Sequence, residues 1–150
     1  MLEKLILEIN APAEKVFQFL CGYDKHYTEV HQDHIERVVN IKDADLEHPD
    51  VSFYFRQKSP ISGREQKIRG RVTRVEMNRY IGTRFLFPTS LALKDVEEIL
   101  EPKGEGCVLT TNMHFTFVAN LLEKSVRKVV KHIAQELNEM KDLLESKTSF

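Results

Sequence analysis

His132 and Glu136 stand four residues apart in a stretch of helical periodicity, so both side chains leave one helix on the same side. At about 100° per residue, Glu136 falls between Leu143 and Val129, inside an apolar arc, with His132 at its edge. A carboxylate aimed into apolar surroundings is costly unless it is paired or coordinated. Imidazole and carboxylate together suit zinc or a similar divalent ion, and a catalytic zinc site takes about three protein ligands and keeps one position open. His26, His31 and His34 cluster earlier in the chain. Either His31 or His34 would supply the third ligand if that segment packs near the helix; one step in register reverses which of them faces inward. Two structural readings compete with the metal. Glu136 could pair with an inward arginine such as Arg74 or Arg84, or His132 and Glu136 could form only a helix-stabilising contact worth a few tenths of a kcal/mol.

A second set of residues suits an apolar ligand. Phe53, Phe55, Phe85, Phe87, Phe115 and Phe117 fall on strand-like stretches and together would make an aromatic wall. Val129 and Ile133 present the facing helix surface. The expected lining is therefore Phe53, Phe55, Phe85, Phe87, Phe115, Val129 and Ile133, with Gln57 continuing the register of Phe53 and Phe55 as a polar hook. Taken singly, each phenylalanine could equally fill a core. His114 is expected to face outward. Arg64, Lys67, Arg69 and Arg71 read as the solvated face of one strand, without the interleaved aromatics of a single-strand nucleic-acid binder. Gly104-Glu105-Gly106 is a hairpin turn and not a phosphate loop. No Ser-His-Asp or Cys-His arrangement is legible.

These residues need elements to carry them. Leu5, Leu7 and Ile9 alternate in a first strand over Leu2 to Asn10. Asn10 then caps a short helix with Pro12 and Glu14 in its first turn, ending near Gly22. Residues 23–34 read as a second short helix or helical loop. From Ile35 the period changes to two. Strands are expected over 35–41, 51–58, 67–76, 81–87, 93–101 and 107–117, with turns at Ser59–Gly63 and Pro102–Gly106. Leu122, Val126, Val129, Ile133, Leu137, Met140 and Leu144 then step by threes and fours along one long amphipathic helix. Strands without long helices between them imply an antiparallel sheet. The expectation is a single α+β domain over 1–150: about seven antiparallel strands curved around the C-terminal helix, with a pocket between the two.

Composition agrees. The chain has 150 residues, 41% hydrophobic and 30% charged, with a formal net charge of −1. That is globular composition without the basic excess of a nucleic-acid binder. No apolar run approaches the ~20 residues that span a bilayer, and MLEKLILEIN is not a signal-peptide pattern. Cys21 and Cys107 belong to no CxxC motif. These features point to a cytoplasmic protein with free thiols, no nucleic-acid partner and no membrane insertion.

The stretches EINAPAEKVFQFL, RGRVTRVEMNRYI and EEILEPKGEGCVLTTNMHF, followed by the terminal helix, resemble the START-related helix-grip (SRPBCC) superfamily of polyketide cyclases, lipid-transfer domains and pollen allergens. The resemblance covers nearly the whole chain and implies a cavity for a small hydrophobic molecule. HYTEVHQDHI and KHIAQELNEMKDLLE resemble a narrower branch, the zinc-dependent phloroglucinol hydrolases, which cleave a carbon–carbon bond beside a carbonyl. That resemblance implies metal ligands at His31 or His34 and at His132 with Glu136. It also implies a middle-strand carboxylate, where this sequence reads Tyr54-Phe55-Arg56-Gln57; Glu65 is the nearest acid. Two functions follow: a carrier of a lipid- or polyketide-like ligand, and a metal-dependent hydrolase or lyase on such a ketone. An interaction protein would need an exposed apolar patch, which the sequence does not reveal.

Overall fold

The computed structural model describes residues 2–21, 30, 33–39 and 51–148. Seven strands form one sheet: β1 (Leu2–Ile9), β2 (His34–Val39), β3 (Val51–Lys58), β4 (Glu65–Glu76), β5 (Tyr80–Phe85), β6 (Leu93–Lys103) and β7 (Gly106–Phe115). Helix α1 (Ala13–Cys21) follows β1, the four-residue α2 (Phe117–Asn120) follows β7, and α3 (Glu123–Thr148) ends the described chain.

The strand order is β1-β7-β6-β5-β4-β3-β2, and each described pairing is antiparallel. Consecutive strands from β2 to β7 are neighbours in the sheet, and connections of two to seven residues join β3 through β7 in turn. Helix α1 separates β1 from β2, and these two form the opposite edges. Register shifts near His34/Glu36, Val72/Arg74 and Leu93/Asp95 interrupt the ladders. Such bulges bend a strand and increase its twist, which lets a sheet curve.

The alternation is strict where it matters. Along β7, Cys107, Leu109, Thr111, Met113 and Phe115 are buried and the residues between them are partly exposed. Helix α3 lies across this inner face. Its Leu137, Met140 and Leu144 join a core with Ile9, Val16, Phe17, Leu100 and Leu109. Its Val126 joins a second cluster with Leu93, Met113, Phe115 and Ala119, against which Val129 and Ile133 also pack. At the far end of α3, Glu145 Oε1 accepts a 2.8 Å hydrogen bond from the Asn10 amide, tying the helix to the β1–α1 turn.

Several expected boundaries move. His34 is the first residue of β2 and not the end of a helix. Phe117 opens α2: Thr116 makes one last sheet-like bond, its amide donating to Ala92 O at 2.8 Å, and stands in extended conformation as the helix N-cap. Leu122 precedes α3 and is 55% exposed, so the buried stripe begins at Val126. The remainder of the expected second short helix, apart from Val30 and Asp33, lies outside the described residues.

Candidate metal and ligand site

β2 delivers His34 to the inner face, where it is 5% exposed and opposite Gln57 of β3. Strict alternation would send Glu36 the same way. The register shift between them instead sets Glu36 opposite Arg56, whose Nε donates to Glu36 Oε2 at 2.7 Å, on the other side of the sheet. The bulge thus places an imidazole inside and a carboxylate outside.

Helix α3 supplies the other two groups. His132 is 6% exposed, and Glu136, one turn on, is partly buried. His34 Nε2 lies 2.8 Å from Glu136 Oε1, and His132 Nε2 lies 3.5 Å from Glu136 Oε2. The two imidazole rings meet edge to face, with centroids 6.0 Å apart. One ligand atom from each of His34, His132 and Glu136 fits within a mutual distance of 4.8 Å, the single such group among the described residues. Around zinc, with ligand bonds of about 2.0–2.2 Å, tetrahedral donors stand about 3.3–3.6 Å apart. The 2.8 and 3.5 Å spacings, one to each Glu136 oxygen, lie near that value, and the donor set of two imidazoles and one carboxylate is a zinc-type set.

The competing arginines are elsewhere. Arg74 has a 63% exposed side chain, lies 3.2 Å from Glu76 and sits over the Tyr80 ring; Arg84 is exposed. Glu65 binds Arg56 at 2.6 Å on the outer face and stands apart from the cluster. The middle-strand position facing His34 is Gln57, 6% exposed. His31 lies outside the described residues.

Three of the expected phenylalanines meet ring to ring. Phe53 and Phe55 stack at 6.1 Å, and Phe55 meets Phe85 edge to face at 6.5 Å. Gly70 pairs with both Phe53 and Phe85, and a Cβ there would lie 2.6 Å from Phe53 Cζ. The bare glycine lets the Phe53 ring lie across β4. Phe115 is packed under the first turns of α3, with Val129 and Ile133 against the same cluster. Phe87 is the exception: it lies beyond the end of β5 and is 73% exposed, so it does not line the inner face. Leu86 makes the last sheet-like bond there, its amide donating to Arg69 O at 2.9 Å, and Pro88 has no amide to continue the ladder. Phe117, 77% exposed, is likewise outside.

One inward polar residue had no sequence signal. Thr111 is 1% exposed at the middle of β7, and its hydroxyl has no hydrogen-bond partner among the described residues. Threonine is an ordinary strand residue, so only the packing distinguishes it. Cys21 and Cys107 are both thiols. Burial pushes the Cys107 thiol up from its ordinary pKa, which makes it a poor ligand or nucleophile. His114 faces outward and bonds Asp95 through Nδ1.

An antiparallel sheet wrapped over one long helix is an arrangement found in solved structures. One is the di-domain aromatase/cyclase StfQ from the steffimycin biosynthetic pathway, with a TM-score of 0.80 at 13% identity over 99% of this chain and 52% of that one. The fold is the helix grip. A Streptomyces aromatase/cyclase, Zhui, matches with a TM-score of 0.76 at 13% identity, over 99% of this chain and 95% of that chain. A START superfamily protein from Mycobacterium smegmatis matches at 0.72 and 14%, over 95% and 98%. No family model and no curated protein matches the sequence. The helix grip is therefore recognised here by its shape, and what it holds must be argued from the side chains. No helix among the described residues is long and apolar enough to cross a membrane.

Proposed function

We propose that this helix-grip domain binds a small apolar molecule carrying a carbonyl, polyketide-like in character, between its sheet and α3. A divalent metal of zinc type on His34, His132 and Glu136 anchors the polar end. The observation that carries the reading is the convergence of those three side chains from β2 and α3 within 4.8 Å. Phe53, Phe55 and Phe85 offer the apolar wall, and Gln57 and Thr111 offer an amide and a hydroxyl from the same inner face. The aromatase/cyclases of the same fold suggest the ligand class. A bound metal would polarise a carbonyl or activate water. The protein's own part is to orient that carbonyl with Gln57 and to exclude water with the phenylalanines.

The test is elemental analysis of untagged protein purified without chelator, together with His132→Ala and Glu136→Gln. One equivalent of metal, lost in both variants with the fold retained, supports the reading. No metal and no uptake of added zinc or manganese removes it. A ligand carrier would then remain, to be sought by saturable binding of an apolar naphthalene sulfonate.

A second reading makes the same site a hydrolase or lyase that cleaves a carbon–carbon bond beside the carbonyl. Three protein donors favour it, because they leave a coordination position for water or substrate. A screen of acyl-phenols against metal-loaded protein tests it. Turnover absent from His132→Ala is the expected result, and a flat screen with metal fully bound would leave binding alone.

A further inference from the structure

The loops after β5 and β7 meet at one end of the sheet. The Thr116 amide donates to Ala92 O at 2.8 Å, and the Thr116 hydroxyl donates to Leu91 O. Around that junction stand Phe87, Leu91, Phe117, Val118, Leu121 and Leu122, all exposed. Phe87 and Leu121 are each 73% exposed and Phe117 is 77% exposed. Single exposed apolar side chains are unremarkable, but a contiguous group marks a contact surface.

The start of α3 is charged in a particular way. Lys124, Arg127, Lys128 and Lys131 are exposed and fall within about 100° of one another around the helix. Glu123 is the sole acid in that stretch and is bound by Arg127 at 2.7 Å. Further along, Glu136, Glu139, Asp142 and Glu145 outnumber Lys141 and Lys147. The positive end of a helix dipole favours acids at the start, so helix stability does not call for this order of charges. Net charge does not explain it either, since the whole chain is near neutral.

Apolar side chains at loop tips beside a basic helix face match a surface with negative headgroups over an apolar interior. A symmetric contact with a second copy would bring equivalent patches, and the like charges beside them, close together. We propose that this end of the domain docks on an anionic lipid membrane. Phe87, Phe117 and Leu121 enter the boundary between headgroups and acyl chains, and Lys124, Lys128 and Lys131 face lipid phosphates. His34 and Gln57 lie toward the same end of the sheet, because β3 runs on past the Phe53–Gly70–Phe85 row to reach them. Docking would therefore bring the inner site near the source of an apolar ligand. The docking inference does not depend on the metal.

The experiment is flotation of the full chain with vesicles of phosphatidylcholine, with and without phosphatidylglycerol. Each basic residue near an anionic surface contributes about fivefold in binding. Binding is expected at least about tenfold stronger on the anionic vesicles. It should fall to the neutral-vesicle level in Lys124→Glu/Lys128→Glu/Lys131→Glu. It should weaken on both vesicle types in Phe87→Ser/Phe117→Ser/Leu121→Ser, with circular dichroism showing each variant folded. The charge variant alters only exposed side chains and keeps the test decisive if the apolar variant misfolds. Equal binding to the two vesicle types, or no binding to either, overturns the proposal. So does concentration-dependent dimerisation that the apolar substitutions abolish without any vesicle binding.

Discussion

Nε2 of His34, at the first residue of β2, lies 2.8 Å from Oε1 of Glu136 in the middle of α3. The contact joins an edge strand to the gripped helix and gives an inward carboxylate a partner. Its loss should be felt twice. His34→Ala is expected to lower affinity for zinc by about 100-fold or more, since even outer-shell changes cost 10–100-fold. It should also destabilise the metal-free protein by about 1–3 kcal/mol, the cost of a buried polar group losing a partner. Zinc titration and urea unfolding measure the two effects separately. Unaltered zinc affinity would remove His34 from the site.

Gln57 stands opposite His34 where a second carboxylate would complete the donor set. Gln57→Glu is nearly isosteric and supplies that charge. In metal-loaded protein it should tighten zinc binding by about tenfold or more, because a further anionic ligand offsets the ion's charge. Without metal it should destabilise the fold, since it buries a carboxylate with no cation to offset its charge. Opposite signs in the loaded and metal-free proteins, read by thermal melting, are the expected signature.

Thr111 keeps a hydroxyl at the centre of the inner face without a partner among the described residues. Thr111→Val removes that hydroxyl and preserves the shape. A stability gain of about 1 kcal/mol in the ligand-free protein is expected, because the unmet hydroxyl is a standing cost. Binding of a carbonyl-bearing probe should weaken in the same variant. A loss of stability instead would mean that the hydroxyl is satisfied in solution.

Tyr80 predicts a pH effect. Burial, chiefly, and the 2.8 Å hydrogen bond it donates to Glu97 push its phenol up to about 12. In the unfolded chain a tyrosine titrates near 10. Between these values the folded chain holds a proton that the unfolded chain has released, so stability falls as pH rises. This contribution is fully present below pH ~10 and is lost through pH ~12. Tyr80→Phe should make the alkaline loss of stability shallower by up to one proton, read as urea midpoints across that range. An unchanged slope would show that the phenol ionises as readily in the folded chain as in the unfolded one.

Much of the helix grip was legible because its elements are periodic. The β7 alternation and the α3 stripe from Val126 to Leu144 each obey one spacing, and burial follows it. Metal candidates on one helix were legible for the same reason, since His132 and Glu136 need only a shared face. Phe87 and Phe117 misled because each follows the pattern of its strand for one step after the strand has ended. The exposed patch they form depends on two loops meeting, and neither loop has a period.

The sequence by itself determined the strand and helix order, the antiparallel sheet, the inward stripe of α3 and the His132–Glu136 pair. These are local properties, set by side-chain alternation and helical spacing. Only the tertiary structure decided that His34 turns inward while Glu36 turns out to Arg56, that Gln57 faces His34, and that Glu136 meets imidazoles and not Arg74 or Arg84. The reason is the bulge at the start of β2: a shift of one residue exchanges the two faces of a strand, and that shift is set by pairing with β3.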